Sequence, residues 1–87
     1  MGWTLEVSDE ARRQLRKLDR KQADRITRVM VAIAALDDPR ARGIPMTGQF
    51  SGYWRFRVGD YRVIAKLEGG RMTIYVIAIG HRREVYR

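Results

Sequence analysis

Tyr53-Trp54-Arg55-Phe56-Arg57-Val58-Gly59-Asp60-Tyr61-Arg62-Val63-Ile64-Ala65 is the stretch around which this chain is organised. Apolar and basic residues alternate from Trp54 to Val58, the period of a strand with one buried face. Gly59-Asp60 follows as a two-residue turn, glycine first, of the kind that joins antiparallel strands. Such a turn pairs Val58 with Tyr61, Arg57 with Arg62, Phe56 with Val63 and Arg55 with Ile64. Trp54, Phe56, Val58, Tyr61, Val63 and Ala65 then share one face, and Arg55, Arg57 and Arg62 share the other. Like charges directly opposite on a sheet destabilise it by roughly 0.2–1 kcal/mol per pair. Three arginines gathered this way are a poor choice for stability alone, but they suit a polyanion lying on that face.

Eighty-seven residues make one domain, 1–87, with room for a modest core. Eighteen Lys and Arg against ten Asp and Glu give a formal net charge of +8, which points to an acidic partner such as nucleic acid. Fifteen of the basic residues are arginine, the side chain whose planar fork matches phosphate. Cysteine is absent, which excludes a disulfide framework and a thiolate metal site. No apolar run approaches the length of a membrane span and the N-terminus lacks the apolar core of a signal peptide. The expectation is a cytoplasmic protein with no membrane partner.

Upstream of the hairpin, Trp3 to Val7 alternates as a short strand. Ser8 is a good N-cap, followed by acidic Asp9 and Glu10, and a helix to about Leu18 presents Ala11, Leu15 and Leu18 on one side. Asp19 with Gln22 resembles a capping box and opens a second helix. That helix carries Ala23, Ile26, Val29, Met30, Ile33 and Leu36 at helical spacing and is expected to end at Asp37-Asp38-Pro39. Arg40 to Ser51 reads as a loop. After the hairpin, Glu68-Gly69-Gly70-Arg71 is a second turn, and Met72 to Ile79 is a continuous apolar strand of the kind covered on both faces. Continuing the alternation places Ile74, Val76 and Ala78 toward the helices and Tyr75, Ile77 and Ile79 on the arginine side. The fold class is α+β: an N-terminal strand, a helical hairpin and a three-stranded antiparallel meander, with the helices on one face of a four-stranded sheet.

The chain closes with Gly80-His81-Arg82-Arg83-Glu84-Val85-Tyr86-Arg87, which leaves the last strand beside the basic hairpin. With this ending, the "YWRFRVGDYRVIAKL" hairpin and the order of elements, the chain resembles the RelE-like toxins of the RelE/ParE toxin–antitoxin superfamily. The resemblance covers essentially the whole chain. An arginine after the last strand with a tyrosine near the end is more particular to RelE; the hairpin is shared across the superfamily.

The resemblance implies a ribosome-dependent endoribonuclease that cuts mRNA in the aminoacyl site without metal or other cofactor, by attack of the RNA 2′-OH on the adjacent phosphate. It implies a RelB-like antitoxin as partner, with operator DNA reached only through the toxin–antitoxin complex. By position, Arg62 would stabilise charge on the phosphate, Arg82 would face the leaving oxygen, and Tyr86 would stack on a base and orient or deprotonate the 2′-OH. Arg57, Arg83, His81 and Tyr53 would contact RNA. RelE has two lysines early in the hairpin where this chain has Tyr53 and Arg55. Arginine keeps its proton at any pH the fold survives, so Arg55 can hold phosphate but is a poor general base. Tyr86, Tyr53 and His81 are then the groups able to move a proton, histidine having an ordinary pKa of about 6.5. The alternative within the same resemblance is a ParE-like toxin acting on gyrase, or an inactive antitoxin-bound co-repressor.

Overall fold

The computed structural model describes residues 2–81. Its elements are β1 (Thr4–Val7), α1 (Asp9–Lys17), α2 (Arg20–Ala34), β2 (Ile44–Pro45), β3 (Trp54–Val58), β4 (Tyr61–Glu68) and β5 (Thr73–His81). The strands form one sheet in the order β1-β5-β4-β3-β2, with β1 parallel to β5 and the other pairs antiparallel. Both helices pack on one face of this mixed sheet, an α+β architecture.

Local chemistry sets the helix starts where the sequence puts them. The Ser8 hydroxyl accepts from the Ala11 amide at 3.1 Å, and the Asp19 carboxylate accepts from the Gln22 amide at 2.9 Å. Each satisfies a donor that the first helical turn leaves open. The second helix stops at Ala34, capped by Ala35, several residues before the proline. The Ala34 carbonyl instead takes the Trp3 amide at 2.6 Å, which ties the start of β1 to the end of α2. Leu36 therefore lies beyond the helical stripe.

The core joins Ala11, Ile26, Met30, Ile33 and Ala34 of the helices to Phe56, Val58, Val63, Ala65, Ile74, Val76 and Ile79 of the sheet. The hairpin has the expected register, Val58 opposite Tyr61 and Arg57 opposite Arg62. Gly59 takes φ +60°, the left-handed conformation that glycine adopts without strain, and this is what the turn requires.

Two expectations are corrected. The sheet has five strands, because Ile44–Pro45 leaves the loop to pair with Trp54 and Arg55. Proline is tolerated there because the strand is an edge. The approach is close enough that a Cβ on Gly43 would come within 2.8 Å of the Phe56 ring. The second correction concerns β5. Ile64 pairs with Ala78 but Ala65 pairs with Val76, so Ile77 is an extra residue in the ladder. This bulge reverses the alternation beyond it. Ile79, expected on the arginine side, faces the helices opposite Val63; Ala78, expected in the core, stands opposite Ile64 on the other face.

Candidate functional site

The sheet face away from the helices is built in cross-strand rows. Ile44, Arg55, Ile64 and Ala78 form one row, and Arg57, Arg62 and Gly80 form the next toward the hairpin turn. Lys66 with Tyr75 and Glu6, then Glu68 with Thr73 and Thr4, continue toward the opposite end. The two ends differ in charge. At the far end Arg71 bridges Glu6 at 3.6 Å and Glu68 at 3.5 Å, so its charge is compensated locally. At the hairpin end the three arginines Arg55, Arg57 and Arg62 share the face.

Arg62 is the centre of this arrangement. It is 8% exposed, yet among the described residues it makes one hydrogen bond, Nη1 to the neighbouring Tyr61 carbonyl at 3.3 Å, and no ion pair. A guanidinium carries five N–H donors, and burying one without a carboxylate is costly. Its partner across β3 is another arginine, Arg57, which adds repulsion. Its partner across β5 is Gly80, so no side chain stands over the guanidinium from that strand. The result is a recessed cation whose register partner on β5 is a glycine, an arrangement that suits a phosphate.

The structure thus brings Arg55, Arg57 and Arg62 onto one face, with Arg55 half-buried and Arg57 exposed. Tyr53 directly precedes β3, where its carbonyl accepts from the Met46 amide at 2.9 Å. His81 is not brought to that face. It pairs with Tyr61 on the helix side, the two rings meeting edge-on with centroids 5.9 Å apart. There it lines a cavity of about 480 Å³ with Gln14, Lys17 and Leu18. Arg82, Arg83 and Tyr86 lie outside the described residues.

Gln14 carries no signal in the sequence, yet it completes the site's frame. Its Oε1 accepts from the Ile79 amide at 2.6 Å, closing the edge of β5 beyond the end of β1 and fixing the strand that carries Gly80. The role of Gly80 opposite Arg62 was equally hidden, since it depends on the register of β4 and β5.

A family model described as the ParE toxin of the type II toxin–antitoxin system, parDE, matches residues 5–86. The chain belongs to this toxin family. It is 29% identical over 90 residues to Toxin RelG of Mycobacterium tuberculosis, an alignment spanning 100% of this chain and 99% of that toxin. The crystal structure of the toxin–antitoxin complex RelBE2 from the same organism contains a chain that superposes with a TM-score of 0.74 at 26% identity, covering 97% of this chain and 95% of that one. A doubly substituted E. coli toxin RelE in the free state superposes with a TM-score of 0.78 at 18% identity, covering 98% of this chain and 88% of that one. The last likeness is one of fold. Together they make the chain a RelE-like toxin of the RelE/ParE superfamily, a type II toxin–antitoxin toxin.

Proposed function

We propose that this toxin is a ribosome-dependent mRNA endoribonuclease acting in the cytoplasm. The observation that carries the reading is Arg62, a buried guanidinium with no carboxylate partner among the described residues and with Gly80 opposite it. The reaction needs no group beyond the RNA and the protein. The 2′-oxygen forms a bond to the adjacent phosphorus, the bond from phosphorus to the 5′-oxygen breaks, and the products are a cyclic phosphate and a 5′-hydroxyl. One proton leaves the 2′-OH and one reaches the 5′-oxygen. Arg62 stabilises the charge that builds on the non-bridging oxygens, and Arg55 adds a second fixed cation. Cations placed in advance act mainly on the transition state, commonly the largest catalytic contribution. Arg57 holds the flanking backbone. Arg82 at the leaving oxygen and Tyr86 at the 2′-OH complete the assignment by their position in the family. Residues Tyr53 and Arg83 are assigned to RNA contact. His81 is left to packing, because its pairing with Tyr61 puts it across the sheet from Arg62.

The partner that silences the toxin is a RelB-like antitoxin, a reading supported by the likeness to a chain solved within a toxin–antitoxin complex. Operator DNA is contacted only through that complex. The deciding experiment incubates purified toxin with mRNA, free or positioned in the ribosomal aminoacyl site. Cleavage is expected only with ribosomes, and to fall about 100-fold or more in Arg62→Ala. The family model that matches is that of ParE, which favours gyrase as the second reading. Intact mRNA together with inhibited DNA supercoiling would establish that reading instead.

A further inference from the structure

The chemistry above uses Arg62 and Arg55 and leaves another cation of the same face, Lys66, without a role. The residue between them is Ile64. It is 1% exposed, yet it stands outside the core that joins the sheet to the helices. Val63 and Ala65 belong to that core and Leu67 packs against it, so the alternation of β4 puts Arg62, Ile64 and Lys66 together on the other face. Across the ladder Ile64 meets Arg55 on β3 and Ala78 on β5. Cations therefore flank a dry apolar floor on three sides, and the small Ala78 occupies the fourth.

Strand geometry sets the scale of this arrangement. Two residues of an antiparallel strand span about 7 Å, so the backbones of Arg62 and Lys66 lie about 14 Å apart with Ile64 midway. Arg55 starts about 5 Å from Ile64 across the ladder. The stems of arginine and lysine are long enough to lean inward over the isoleucine. Lys66 is exposed and, among the described residues, makes no hydrogen bond and no ion pair. Its partner on β5 is Tyr75, and Tyr53 directly precedes β3; neither brings a carboxylate. The carboxylates at its end of the face, Glu6 and Glu68, bridge to Arg71 at 3.6 Å and 3.5 Å instead.

We propose that Lys66 is a further catalytic residue, the third fixed cation on the scissile phosphate, which sits over Ile64 between Arg62, Arg55 and Lys66. The inference rests on the RNA-cleaving reading and adds to it the seat of the phosphate. As the 2′-oxygen bonds to phosphorus, the phosphate moves from one negative charge toward two before the bond to the 5′-oxygen breaks. A cation arriving from the side opposite Arg62 meets the non-bridging oxygen that Arg62 leaves uncovered. The apolar floor screens these charges less than water would, which raises the worth of each contact made over it. Lys66 acts here as a charge and passes no proton, so arginine can stand in for it.

The test compares Lys66→Met, Lys66→Arg and Arg62→Ala with the unaltered toxin in single-turnover cleavage of ribosome-bound mRNA. A second readout is the salt dependence of binding to an RNA oligonucleotide that carries 2′-deoxyribose at the cleavage position and so cannot be cut. Lys66 is exposed and unpaired among the described residues, so both of its variants should melt at the temperature of the unaltered toxin. Lys66→Met should slow cleavage about tenfold or more, less than Arg62→Ala because an exposed charge is partly screened. It should also lower the salt slope by about one, and Lys66→Arg should restore both. Normal cutting by Lys66→Met beside a slow Arg62→Ala would overturn the inference while the nuclease reading stands, leaving Lys66 a solvated surface charge. A reduced salt slope with the rate intact would also overturn it, making Lys66 a binding cation alone. So would slow cutting that Lys66→Arg does not relieve. Unaltered toxin that leaves ribosome-bound mRNA whole would refute the nuclease reading and this role with it.

Discussion

Replacing Arg62 with methionine should make this toxin more stable and less active at once. Three contributions set the stability change. The substitution removes a guanidinium that is 8% exposed and has no carboxylate partner among the described residues. Exchanging buried ionic groups for apolar side chains of similar volume is often neutral or stabilising by about 1–4 kcal/mol. It also removes the repulsion between Arg62 and Arg57, roughly 0.2–1 kcal/mol. Against these stands the hydrogen bond to the Tyr61 carbonyl, long at 3.3 Å and, with its charged donor, worth about 1.5 kcal/mol. The expected balance is a gain of about 1–2 kcal/mol, which in a domain of this size raises Tm by roughly 5–10 °C. Ribosome-dependent cleavage should fall about 100-fold or more, since the developing charge loses its fixed partner. Thermal unfolding followed by circular dichroism gives the first number, and single-turnover mRNA cleavage gives the second. A variant that melts several degrees lower while cutting normally would refute the reasoning, because Arg62 would then be a structural cation.

Gly80→Leu places a side chain opposite Arg62 on the arginine face. It should slow cleavage by about 100-fold through misplacement of the phosphate, read in single-turnover assays of protein whose fold is checked by circular dichroism. Gln14→Ala leaves the Ile79 amide without its acceptor and should cost about 1–3 kcal/mol. Native-state hydrogen exchange should show Ile79 losing protection ahead of the β3–β4 hairpin. Phe56→Ala empties a fully buried site that also receives Gly43, and should cost about 3–5 kcal/mol in chemical denaturation.

The local decisions were legible in the sequence because their causes are local. A two-residue glycine turn allows one register, so Arg57 opposite Arg62 could be read before any coordinates existed. Ser8 and Asp19 announce their helices because a cap bonds an amide three residues away. The arginine face follows from alternation alone, and with it most of the candidate site among the described residues. The other decisions needed the tertiary structure. In Met72 to Ile79 both faces of the strand are apolar, so the alternation carries no phase and the bulge at Ile77 leaves no trace. Ile79 and Ala78 exchanged faces for that reason, and His81 went with Ile79's phase to the helix side. Ile44–Pro45 is too short to show a period and becomes a strand only because β3 offers it an open edge. The burial of Arg62, the glycine facing it and the glutamine that closes the β5 edge join residues far apart in the chain. Pairings at that separation come from the packing of the whole sheet, and no local propensity encodes them.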